Sequence, residues 1–83
     1  MDVMTTQQAV AARILELCRL RKLTPNALSN LSAVPQSTVK SSLNGESKNP
    51  GIVTIKKLCD GLEITLNAYF DTPEFAQLEQ EVF

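Results

Sequence analysis

Gln36-Ser37-Thr38-Val39-Lys40-Ser41-Ser42-Leu43-Asn44-Gly45 is the stretch around which the rest of the chain is organised. On a 3.6-residue period Val39, Ser42 and Leu43 share one face, while Ser37, Lys40, Ser41 and Asn44 occupy the other and Gln36 flanks them in the first turn. The pattern predicts a short helix showing small polar side chains outward. Gly45 is expected to stop it, because glycine accepts the left-handed conformation that closes a helix and Asn44 before it is a poor helix former. So short a helix is not stable alone in water, so neighbouring segments must hold it.

Those neighbours are legible on either side. Residues 5–22 place Val10, Ile14, Leu17, Cys18 and Arg21 at helical spacing and end in Arg19, Arg21 and Lys22, where cations complement the helix dipole. Leu15 and Leu20 fall off that stripe. Thr24-Pro25 is a start signal, a capping hydroxyl followed by a proline whose missing N–H is harmless at the first helical position. The second helix runs to about Leu31, with Ala27, Leu28 and Leu31 expected inward and Asn26, Ser29 and Asn30 outward. Ser32-Ala33-Val34-Pro35 breaks it, and Pro35 is suited to begin the next helix. Residues 52–62 read as a fourth helix with Ile52, Ile55, Leu58, Cys59 and Leu62 inward and Lys56 and Lys57 outward. Thr65 caps a short fifth helix ending at Tyr69-Phe70. Thr72-Pro73-Glu74 repeats the start signal, predicting a further turn or two over Pro73–Gln80, with Phe75, Leu78 and Val82 on one side. Phe75 is expected to pack back on the domain.

Two short helices joined by about four residues, the second polar outward, describe a helix-turn-helix. The run from Thr24 to Phe70, with Leu28, Val34, Val39, Gly45, Asn49-Pro50, Ile55, Leu58, Leu62 and Ile64 at their spacings, resembles the phage repressor and Cro-like (XRE-type) family of bacterial helix-turn-helix regulators. With the first helix the resemblance covers about residues 8–70. It implies an all-α, lambda-repressor-like five-helix bundle, here followed by a short helical tail, so residues 1–70 form the DNA-binding domain and 71–83 an acidic C-terminal extension. It also implies that residues 36–44 enter the major groove of double-stranded DNA. The base-reading candidates are then Gln36, Ser37, Lys40 and Ser41, and the phosphate candidates Thr24, Asn26, Asn44 and Lys48.

The chain departs from the family at several positions. Ala33 stands where a turn glycine is common, tolerable if its φ is not far into the positive region. Pro35 replaces a serine cap, and Pro25 replaces a polar phosphate-binding side chain. Cys18 and Leu43 stand where members often carry an arginine and a glutamate, and replacing a buried ion pair by an apolar pair is physically coherent. Cys18 and Leu43 are therefore expected to be buried and in contact.

Composition sets the outer bounds. Eighty-three residues, 43% hydrophobic and 20% charged, make one globular domain with a modest core. The net charge of −1 hides a polarity: residues 1–59 hold all eight Lys and Arg against three acids, a net +5, whereas residues 60–83 hold six acids and no base, −6. Such polarity permits one positive and one negative face, which screening over a short length lets act separately, so the net charge does not exclude a nucleic-acid partner. Cys18 and Cys59 lie on apolar faces without any histidine, which excludes a zinc site on ligand count and suits two buried thiols in a reducing compartment. No signal peptide or membrane-spanning run is visible, so a cytoplasmic protein is expected. No cofactor is implied and no constellation of base, nucleophile and acid suggests an enzyme.

The function expected is that of a sequence-specific DNA-binding transcriptional regulator, a homodimer on its site. Two competitors stay open: an antitoxin-like or accessory module that binds a protein partner through its tail and DNA weakly, and a dimerisation module whose recognition surface has lost its ligand.

Overall fold

The computed structural model describes residues 5–44 and 51–80, and the described residues form six α-helices: α1 Thr6–Arg21, α2 Pro25–Ser32, α3 Gln36–Leu43, α4 Ile52–Leu62, α5 Leu66–Phe70 and α6 Pro73–Ala76. Each begins for a local reason. Thr5 and Gln8 form a capping box on α1, Thr5 Oγ1 accepting from Gln8 N–H at 3.1 Å and Gln8 Oε1 from Thr5 N–H at 2.9 Å. Thr24 and Thr65 cap α2 and α5 by accepting from Ala27 and Ala68 N–H. Pro35 and Gly51 precede α3 and α4 without any side-chain cap bond.

The helices close over one core. Val10, Ile14, Leu17 and Cys18 of α1 meet Leu28 of α2, Val34 of the turn, Val39 of α3, Ile55, Leu58, Cys59 and Leu62 of α4, and Tyr69 of α5. Burying a side chain of this size stabilises by about 1.5–3 kcal/mol, so this cluster carries most of the fold. Tyr69 is fully buried and donates its hydroxyl to Val10 O at 3.2 Å. Arg13 answers from the other side, Nε donating to Tyr69 O at 2.7 Å and Nη2 to Ala68 O at 2.9 Å, while Glu16 pairs with its Nη1 at 2.6 Å. A cation thus satisfies the carbonyls at the end of α5, where a helix dipole favours it.

Three facings differ from expectation, those of Leu31 and Ile52, expected inward, and that of Ser29, expected outward. Leu31 is 56% exposed and Ile52 58% exposed, whereas Ser29 and Ser32 are buried. The reason lies in how α2 meets α4: a Cβ on Gly61 would stand 2.9 Å from the Ser32 Cα and N, an approach close enough to exclude a large side chain and to favour small ones. The serines satisfy themselves, Ser32 Oγ on Leu28 O at 2.7 Å and Ser29 Oγ on Val34 O. Leu43 is half-buried against the core rather than sealed in it, while Cys18 is buried at 4% exposure. Ala33 takes φ 59°, fully in the left-handed region, so the turn carries the strain that a glycine would avoid.

The tail folds back for one turn only. α6 ends at Ala76 and not near Gln80, and Phe75 packs edge-on against Phe70 with centroids 4.9 Å apart, Phe70 meeting Tyr69 likewise at 4.8 Å. Leu78 is half-buried. Val82 and the capping residue expected at Gly45 lie outside the described residues. Both cysteines are free and buried, and no described helix is long and apolar enough to cross a membrane.

Candidate nucleic-acid interface

α3 is held on three sides. Val39 and Ser42 turn inward, Val39 into the core and Ser42 onto its own helix by donating Oγ to Thr38 O at 2.9 Å. α1 and α2 both pack against it. The turn before it is fixed by Val34, buried at 3% exposure, whose carbonyl receives the Ser29 hydroxyl. That bond explains why a serine occupies the inner face of α2: it sets the angle at which α3 leaves the turn.

The outer face of α3 carries Gln36, Ser37 and Lys40 exposed, Ser41 half-buried and Asn44 exposed at the C-terminal end. Among the described residues Ser37, Lys40 and Ser41 have no side-chain hydrogen bond or ion pair. Pro35 contributes no side-chain oxygen to the first turn of α3, so the amides ahead of Val39 are available to an acceptor from outside.

Gln36 is different. Its Nε2 donates to Oδ1 of Asn26, tying the first turn of α3 to the first turn of α2. The bond uses one amide hydrogen and leaves Gln36 an oxygen and a second hydrogen to present outward, the donor–acceptor pair that a bidentate bond to adenine requires. Asn26 uses its oxygen in this bond and keeps its amide hydrogens as donors. Thr24 is exposed but spends its lone pair on capping α2, so the hydroxyl proton is what it has left to donate. Of the four phosphate candidates the structure thus brings Asn26 to Gln36, holds Thr24 at the α2 N-cap, leaves Asn44 at the far end of α3, and does not describe Lys48.

Charge is unevenly distributed along the chain. Arg19, Arg21, Lys22, Lys40 and Lys57 are exposed and outside any described ion pair, whereas Arg13 and Lys56 are engaged by Glu16 and Asp60. The exposed acids Glu63, Asp71, Glu74 and Glu79 all follow α4. Among the described residues no group of three His, Cys, Asp or Glu stands together as a metal site. Burial raises the thiols of Cys18 and Cys59 and the Tyr69 phenol above their ordinary values, Asp60 adding to the effect at Cys59, so all three are neutral where they pack.

The Asn26–Gln36 link and the Arg13 latch were not anticipated from the sequence. Asn26 and Gln36 are ten residues apart and their meeting depends on the turn angle; for Arg13 the one signal is a charge placed between inward-facing Val10 and Ile14.

Comparisons with known proteins converge on this region. Residues 13–67 match the family model of the Cro/C1-type HTH DNA-binding domain. A solved structure titled "Crystal structure of the prophage Lp1 protein 11" is similar at 36% identity, covering 90% of this chain and 100% of that one, with a TM-score of 0.77. The search of curated proteins gave no match.

Proposed function

The chain belongs to the Cro/C1-type helix-turn-helix DNA-binding family, and from that premise we propose that it is a sequence-specific transcriptional regulator that inserts α3 into the major groove. The observation that carries the proposal is the Asn26–Gln36 bond, which orients Gln36 at the leading end of a helix whose Ser37, Lys40 and Ser41 side chains have no described hydrogen bond or ion pair. Gln36 reads adenine through its remaining donor and acceptor, Ser37 and Lys40 supply further base-edge contacts with lysine preferring guanine acceptors, and half-buried Ser41 has the shortest reach. Thr24, Asn26, Asn44 and Lys48 take phosphates and set register rather than sequence.

One domain of this size reads few base pairs. Two copies on a pseudo-palindrome, with their α3 helices about 34 Å apart on one side of the duplex, supply the rest of the specificity. The competing tail-partner reading gains little support from the geometry, because Phe75 is spent on Phe70 and Tyr69 rather than held out for a partner.

Selection of bound duplexes from a random pool tests the proposal. A recovered pair of inverted half-sites about 10 base pairs apart, centre to centre, supports it. A pool that stays random after several rounds refutes sequence-specific binding.

A further inference from the structure

The corner where α1 ends and α2 begins carries two cations that the contacts proposed above do not use. Arg21 and Lys22 are exposed, and among the described residues neither has an ion pair or a side-chain hydrogen bond. Lys22 holds φ 56° and ψ 43°, with its backbone N–H on Arg19 O at 3.2 Å and the next N–H, of Leu23, on Cys18 O at 2.8 Å. That left-handed conformation suits glycine and strains a lysine.

The same motif closes α4. Glu63 holds φ 59° and ψ 41°, and Ile64 N–H reaches Cys59 O at 3.0 Å. Two helix ends of one backbone form therefore carry opposite charges: a base on the helix leading into the helix-turn-helix, an acid on the helix leading away from it. Backbone geometry does not distinguish them; the helix dipole favours the base and not the acid, and neither side chain has a described ion pair or hydrogen bond inside the domain.

Lys22 stands four residues before Asn26, a separation of at most about 14 Å, and Asn26 is bonded to Gln36. A flexible lysine stem at that point stands just ahead of the α2 N-terminal turn, whose Asn26 meets the first turn of α3. Duplex DNA presents one phosphate per ~1.7 Å of axis, so a helix seated in its groove brings this corner against a strand. We propose that Lys22, with Arg21 beside it, forms a binding site for the phosphodiester backbone of duplex DNA at the α1–α2 corner; the inference rests on the DNA reading above. The contact adds affinity for DNA of any sequence and carries no base preference.

The test titrates the parent chain, Lys22→Gly, Lys22→Gln and Glu63→Gly against a selected duplex and a random duplex between 50 and 200 mM salt, with melting curves alongside. Lys22→Gly is expected to melt higher than the parent, its strain relieved, yet to bind both duplexes more weakly. Its log affinity should fall less steeply with log salt by about 0.9, so the same rise in salt costs it about 3.5-fold less affinity than it costs the parent. Lys22→Gln should lose the same DNA contact without melting higher, and Glu63→Gly should melt higher without losing DNA affinity. Parent-like salt slopes in both Lys22 variants, while the parent binds DNA, overturn this contact and leave the DNA reading standing. Failure of the parent to bind either duplex overturns both.

Discussion

Gly61→Ala sets two well-known tendencies against each other. Gly61 lies inside α4, where alanine is favoured by about 1 kcal/mol on helix propensity alone. The new methyl group, however, would sit 2.9 Å from the Ser32 Cα and N and 3.0 Å from the Leu31 carbonyl carbon. Carbon atoms pack best at about 3.5–4.0 Å, and all three neighbours are backbone, so no rotamer change relieves the clash. α2 must move away from α4 by about half an ångström or more, loosening Leu28 against Leu58 and Cys59. Overpacking of this kind costs about 1–3 kcal/mol, and contact with backbone places it toward the upper end. The expected net loss is about 1–2 kcal/mol, read in a domain this small as a melting temperature lowered by roughly 4–8 °C per kcal/mol. Thermal unfolding followed by far-ultraviolet circular dichroism, with a urea titration, measures it. A melting temperature equal to or above the parent's would show that propensity outweighs the contact and that the α2–α4 approach does not constrain the fold.

Ala33→Gly should act in the opposite direction, stabilising by about 0.5–1 kcal/mol: relief of the left-handed alanine at φ 59° exceeds the extra freedom glycine gives the unfolded chain, and an unchanged or lower urea midpoint would contradict this. Cys18→Arg places a charge at a site 4% exposed, with half-buried Leu43 rather than a glutamate on the neighbouring helix, and should destabilise by about 3 kcal/mol or more; a parent-like melt would show that the side chain escapes to solvent. The alkaline limb of stability follows from the raised pKa values of Cys18, Cys59 and Tyr69. Because the folded forms keep their protons, their contribution is complete below the unfolded thiol value of about 8.5 and is lost as pH climbs from there through the raised folded values, at up to about 1.4 kcal/mol per pH unit for each thiol. Cys59→Ala should flatten that limb by one thiol's share between pH 8 and 10, and an unaltered slope would remove Cys59 from the account.

Where periodicity and capping chemistry decide the structure, the sequence was sufficient. Thr24 and Thr65 cap α2 and α5, Pro35 and Thr72-Pro73 mark the starts of α3 and α6 without a side-chain cap bond, and the stripe of Val10, Ile14, Leu17 and Cys18 is the buried face of α1. It was insufficient where one helix approaches another closely. Leu31 has a core residue's chemistry but α2 turns Ser29 and Ser32 inward, because Gly61 brings α4 against its backbone and leaves no room for a leucine. An interior glycine within a helical pattern was the available signal. Ile52 fits the α4 stripe yet stands at the helix's first turn, past the edge of the core. For the interface, polarity of the outward face of α3 was legible residue by residue, whereas the Asn26–Gln36 bond depends on the left-handed turn at Ala33 that no local pattern specifies.

The central claim is that Gln36, held by Asn26 at the head of α3, reads a base. Equilibrium binding of the parent and Gln36→Ala to a selected duplex and to a random duplex tests it most directly. The account predicts a loss of about 1–3 kcal/mol on the selected site, relaxed choice at one base position, and little change on random DNA. Equal losses on both duplexes, or none on either, would contradict it and remove Gln36 from the residues that choose sequence.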